Sequence, residues 1–153
     1  MSENFPNSYE GYTGHLAEGE IFERCPGSWD AKTYFDFPKS VEYVKNNQPA
    51  DWRVSDPKPR LAGDLFANVA EKLDLDDWED LKLYTAVGTP LDLFHGTDAF
   101  FEYEGTIVTI DLTINDKKQQ HKADFVINPG IDDLEVIADA IVSRMKNRKA
   151  RAA

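Results

Sequence analysis

Apolar residues return at a helical period from Arg60 onward. Leu61, Leu65, Phe66, Val69 and Leu73 share one stripe, which predicts an amphipathic helix over Arg60–Leu73. A second stripe, made by Leu134, Ile137, Ala138, Ile141, Val142 and Met145, predicts another helix running to about Arg148. Asp132 followed by Glu135 has the spacing of a capping box for its start. Between the two stripes the period shortens to that of β structure. Leu81–Val87 reads as a strand or an extended connector, Thr97–Tyr103 and Thr106–Ile114 as two strands, and His121–Ile127 as a third. Thr89 precedes Pro90 as a capping residue precedes a helical first position, and Gly96 stands where that short helix would end. The core order is helix, strand, strand, strand, helix. It predicts an α/β (α+β) domain with a three-stranded antiparallel or mixed sheet.

Residues 1–59 carry weak periodicity but many aromatics, among them Phe5, Tyr12, Phe22, Trp29, Phe35, Tyr43 and Trp52. So many rings are too apolar for a solvated tail and predict a segment wrapped on the core. Short helices are expected near Glu18–Arg24 and Pro38–Asn46, with Pro49, Pro57 and Pro59 marking a connector. The chain thus divides into an N-terminal wrap (1–59), a core (60–148) and a basic tail (149–153) of one domain.

Glu104-Gly105 separates the first two core strands, and a two-residue loop there sets Tyr103 opposite Thr106. On that register Ala99 faces Ile110 and Phe101 faces Val108, while Asp98 stands opposite Asp111. Opposed side chains have Cβ atoms about 4.5–5.5 Å apart, where like charges destabilise. Two unit charges at about 5 Å in an effective dielectric near 20 repel by roughly 3 kcal/mol. A bound cation, a shared proton or screening water must offset this. Asp111 interrupts a run, Ile107–Ile114, that carries no other charge, and Asp98 abuts Ala99-Phe100-Phe101. Charge in such surroundings is costly, and one or two carboxylates with water suit Mg²⁺.

Charge and composition narrow the partners. The 153 residues carry a net charge of −11, with 41% hydrophobic and 29% charged residues. An acidic average disfavours non-specific nucleic-acid binding. Cations nevertheless crowd one end, at Arg144, Lys146, Arg148, Lys149 and Arg151, and acids crowd Asp74–Asp80. The basic cluster is either a contact for a phosphate backbone or a favourable end for the helix dipole. Cys25 is the single cysteine, no apolar run is long enough to span a bilayer, and Met1-Ser2-Glu3-Asn4 lacks the character of a secretory signal. A cytoplasmic protein without a membrane partner is expected.

A helix followed by a hairpin with Asp98 on its first strand and Asp111-Leu112-Thr113 on its second resembles the core of the PD-(D/E)XK, or restriction-endonuclease-like, nucleases over Arg60–Arg148. The resemblance implies a restriction-endonuclease-like fold and Mg²⁺- or Mn²⁺-dependent hydrolysis of DNA. By it, Asp98 and Asp111 take the metal-ligand roles. Asp64 on the polar side of the first helix, or as second choice Glu71 on the same helix, supplies the helical acid. Thr113 stands where the family has a catalytic Lys, and Thr can hydrogen-bond water but brings no positive charge. Lys117, Lys118 or Lys122 could return that charge to the site, or could form a solvated turn. The family also adds a strand after the second helix, which an N-terminal segment would have to replace here.

Other chemistry is thinner. His95 precedes Gly96-Thr97-Asp98 and serves either as a general acid or base at the rim or as a helix-end cap. His15 and His121 lack zinc spacing, Cys25 lacks a nucleophile motif, and no Gly-rich phosphate loop occurs. Three readings follow. The first is a Mg²⁺-dependent phosphodiester hydrolase acting on DNA, with Arg144, Lys146, Arg148 and Lys149 on the backbone. The second is a catalytically inactive relative of that fold, binding or assembling with a basic protein partner. The third is an unrelated α/β domain.

Overall fold

The hairpin forms as its turn residues require. Glu104 and Gly105 both take positive φ, 50° and 82°, the primed turn whose twist matches that of paired strands. In the computed structural model, which describes residues 22–113, 122–129 and 132–152, this turn joins β2 (Ala99–Tyr103) to β3 (Thr106–Leu112). The register is Tyr103 opposite Thr106, Phe101 opposite Val108 and Ala99 opposite Ile110. β1 (Leu81–Thr85) pairs antiparallel with β2, and β4 (Phe125–Ile127) pairs parallel with β3. The sheet is therefore four-stranded and mixed, in the order β1-β2-β3-β4, where three strands were expected. The added member is Leu81–Thr85, the strand alternative for Leu81–Val87, with Val87 already in the following turn.

Alternation along the strands sorts two apolar layers. On one face Leu81, Leu83, Phe101, Val108 and Ile110 pack with Leu61, Leu65, Phe66 and Val69 of α2 (Arg60–Lys72), and with Ala138, Ile141 and Met145 of α4 (Leu134–Ala152). The other face is covered as well. There Phe100 packs with Val41 and Val44 of α1 (Phe37–Asn46) and with Leu91 of α3 (Pro90–His95). The N-terminal wrap thus forms a whole layer. It also closes an edge, since Leu83 N–H donates to Val54 O at 2.7 Å and Trp52 Nε1–H donates to Leu83 O at 2.8 Å. None of the described helices is long and apolar enough to cross a membrane.

The caps follow local chemistry with one change. Thr89 accepts from Leu91 and Asp92 N–H to start α3, and Gly96 ends it. At α4 the capping carboxylate is Asp133, which accepts from Glu135 N–H at 2.8 Å. Asp132, the expected cap, instead accepts from Asn128 N–H at 2.7 Å and so closes the preceding turn. α4 continues through residues read as a basic tail. Of the expected helix at Glu18–Arg24, Phe22–Arg24 are non-helical and the rest lie outside the described residues.

Candidate functional site

Asp98 lies at the head of β2 and is anchored twice to β3. Its N–H donates to Ile110 O at 2.8 Å, and its Oδ2 accepts from Leu112 N–H at 2.8 Å. Asp111 sits within β3, and its pairing with Val126 of β4 puts it in the middle of the sheet. Both are buried, Asp98 at 1% exposure and Asp111 at 5%. Screening by bulk water is thereby removed, because both faces of this sheet are covered.

The third acid is one the sequence reading passed over. Asp92, in the first turn of α3, lies within hydrogen-bonding reach of Asp98 and accepts from Gly88 N–H at 2.9 Å. Burial pushes the Asp98 carboxyl up to about 9, its hydrogen bond with Asp111 adds to the rise, and the Leu112 N–H opposes it. Asp92 is also raised, chiefly by burial, and the Gly88 N–H and Asp98 counter part of the effect. A proton held on Asp98 relieves the repulsion among the three acids. The signal for Asp92 was present as a capped helix, Thr89-Pro90, that ends directly before Asp98. Nothing local marks an acid in its first turn as more than a dipole partner.

Asp64 and Glu71 belong to α2, whose buried side pads the opposite apolar layer, and the acids neighbouring Asp98 are Asp92 and Asp111. The expected helical ligands are thus not gathered with the hairpin pair. His95 turns away too. Its Nε2 lies 2.9 Å from Phe35 O, and its ring packs against Tyr34 and Phe37, so it ties α3 to the wrap. Thr113 is buried, with its N–H donating to Ile127 O at 2.9 Å. Lys117 and Lys118 lie outside the described residues. Lys122 reaches the rim: its Nζ donates to Phe94 O at 3.1 Å, and its Cβ lies 3.7 Å from where a Gly96 side chain would begin. That places a cation beside the turn leading into Asp98.

The C-terminal cations have other work. β4 covers only Ile110–Leu112 of β3, and side chains complete the rest of that edge. Asp124 accepts from Thr109 N–H at 2.9 Å, Arg148 donates to Ile107 O at 2.6 Å, and Arg148 and Asp124 pair at 2.7 Å. Arg144 joins Asp124 at 3.3 Å and lies over the Phe125 ring. Lys149 pairs with Glu104 at the hairpin turn. Lys146 lines a small cavity with Leu73 and Tyr103. The proposed DNA-contacting set is therefore largely engaged within the fold. The alternative use of those cations, as a helix-end set, comes closer, but the partners are carboxylates and a strand edge.

Cys25 is buried, and its Sγ–H donates to Thr85 O at 3.1 Å. Burial first, then the Asp92 charge, pushes its thiol up to about 12. We expect Cys25 to resist a disulfide-exchange reagent at pH 8 in the native protein and to react fully in denaturant. Rapid labelling without unfolding would contradict the burial.

Among the described residues no three His, Cys, Asp or Glu side chains are arranged to hold a metal ion. The donor set that does converge is a carboxylate pair, Asp98 and Asp111, with Asp92 behind it. Such a pair fits a hard cation that takes one or two carboxylates and completes its shell with water and phosphate oxygens. Comparison with protein-family models, curated proteins and solved structures finds no match.

Proposed function

We propose that the chain is a Mg²⁺- or Mn²⁺-dependent phosphodiester hydrolase of the PD-(D/E)XK type, acting on DNA at the head of the β2–β3 hairpin. The observation that carries this is the convergence of Asp98 and Asp111, both buried, where a sheet covered on both faces has no structural need for charge. Asp98 and Asp111 would hold the cation. When bound it would supply Lewis-acid stabilisation of the phosphate and a water of lowered pKa. The Leu112 N–H fixes the Asp98 carboxyl, so its position does not depend on the ligand. Lys122 supplies positive charge at the rim, in place of the Lys that Thr113 lacks. Asp92, held by Gly88, is a positioning residue for Asp98.

The test is cleavage of labelled DNA with Mn²⁺, comparing wild type with Asp111→Asn. Loss of a ligand should lower the rate by about a hundredfold, at least what loss of a ligand's own partners costs. Lys122→Ala should lower it less. Equal activity in Asp111→Asn would remove the hairpin pair from catalysis.

A second reading has its own support. Arg144, Arg148 and Lys149 are tied to Asp124 and Glu104, while Asp74, Asp76, Asp77, Glu79 and Asp80 are exposed around a partly exposed Trp78. That surface suits a basic protein partner of a non-catalytic binding or assembly subunit. Divalent binding without cleavage of any nucleic acid would favour it.

A further inference from the structure

The hydrolase reading leaves open what holds the substrate, since the C-terminal cations are engaged elsewhere. A cleft of about 370 Å³ lies beside the acids, lined by Arg24, Trp29, Gly88, Asp92 and Leu93 among others. Asp92 is shared, half-buried at this cleft and within reach of Asp98. Asp92 thus links the cleft to the proposed catalytic pair.

Arg24 is its cation. The side chain is exposed, and its charge acts on Asp92 across the cleft. It lies across the turn at Gly88, where a Cβ would fall 2.9 Å from the guanidinium carbon. Gly88 has φ +82°, so this turn favours glycine on both counts. The Trp29 Nε1–H donates to Gly88 O at 3.0 Å and fixes the indole beside the guanidinium. Trp29 packs edge-on against Phe94, and Phe94 against Tyr34. Tyr34 and Leu93 are 63% and 58% exposed. A planar guanidinium fork beside the partly buried Trp29 and the exposed Tyr34 is the chemistry that holds a phosphate and receives an unstacked base.

We propose that this cleft is the substrate-anchoring subsite of the same centre, with Arg24 on a phosphate of single-stranded DNA and the Trp29–Tyr34 shelf against its bases. The inference rests on the hydrolase reading. Single strands are favoured over duplex because free bases can reach the shelf. A duplex would also need a stripe of cations along its phosphates, and among the described residues Arg24 is the one cation that lines the cleft of this −11 chain.

The experiment measures anisotropy of a fluorescein-labelled single-stranded oligodeoxynucleotide with Ca²⁺ as the supporting cation, alongside Mn²⁺ calorimetry of each protein. Arg24→Gln should weaken oligonucleotide binding by about tenfold, as loss of a charged hydrogen bond does, and leave Mn²⁺ binding unchanged. Tyr34→Ala, an exposed ring remote from the acids, should weaken it as well, and it carries the test if Arg24→Gln fails to fold. Undiminished oligonucleotide binding in both variants, with Mn²⁺ still bound, would overturn the subsite and leave the hydrolase reading standing. Absence of Mn²⁺ binding by wild type would instead sink that reading and this inference with it. A duplex of the same sequence bound more tightly would overturn the single-strand assignment.

Discussion

Asp98→Asn is expected to stabilise the metal-free protein at pH 8, and the gain should vanish as the pH falls toward 4. The folded carboxyl sits near 9, far above its ordinary value of 3.8, because it is buried beside Asp111 and Asp92. The native state therefore holds a proton that the unfolded chain releases. Stability from this group is fully present below the ordinary carboxylate range. It declines with rising pH and is lost as the pH passes about 9. One such proton makes a slope of about 1.4 kcal/mol per pH unit. Asparagine stays neutral, and its amide can donate toward Asp92 and Asp111 as the protonated acid does. The gain should therefore grow steadily from pH 4 to pH 8, read by urea denaturation across pH 4–9. The cost is function, since the variant should lose divalent binding. A destabilised variant with the wild-type pH slope would contradict the shared-proton account.

Asp124→Ala should do the reverse and destabilise by about 2 kcal/mol at pH 7, below the scale for a fully buried ion pair because both arginines stay partly exposed. The loss is compound. Arg148 and Arg144 lose their carboxylate, and Thr109 N–H loses its acceptor at the part of β3 that β4 does not reach. Burial alone would raise this carboxyl, but hydrogen bonds from Arg148 and Thr109 outweigh it and hold Asp124 below its ordinary range. Its contribution is therefore present above the ordinary carboxylate pKa and fades as the pH falls through the lowered one. The variant should lose its deficit in acid, whereas Asp98→Asn loses its advantage there. Arg148→Met, which keeps the stem over the edge, should cost less than Asp124→Ala because only one arginine loses its partner. A neutral Asp124→Ala would mean that the β3 edge does not need its side-chain closure.

The hairpin was legible because its determinants are local. Glu104-Gly105 sets the turn, the turn sets the register, and the register brings Asp98 and Asp111 together. Thr89 and Pro90 likewise specify the start of α3. What the sequence left open depends on contacts between distant segments. That Asp111 is buried follows from α1 and α3 covering a face that an antiparallel hairpin could have left wet. Asp124 and Arg148 are 24 residues apart, and their meeting depends on where β4 stops. Asp64 looked suitable because its helix precedes the hairpin, yet that helix pads the other layer. Arg24 read only as the end of an expected helix, since the turn at Gly88 that receives it lies far along the chain.

The central claim is that Asp98 and Asp111 form a cation site, and Mn²⁺ titration by calorimetry, wild type against Asp111→Asn, tests it most directly. The account predicts saturable binding by wild type, with a rise in stability of about 2.7 kcal/mol at a hundredfold excess over Kd, and neither in the variant. No heat and no stabilisation in wild type, or equal binding by both proteins, would contradict it.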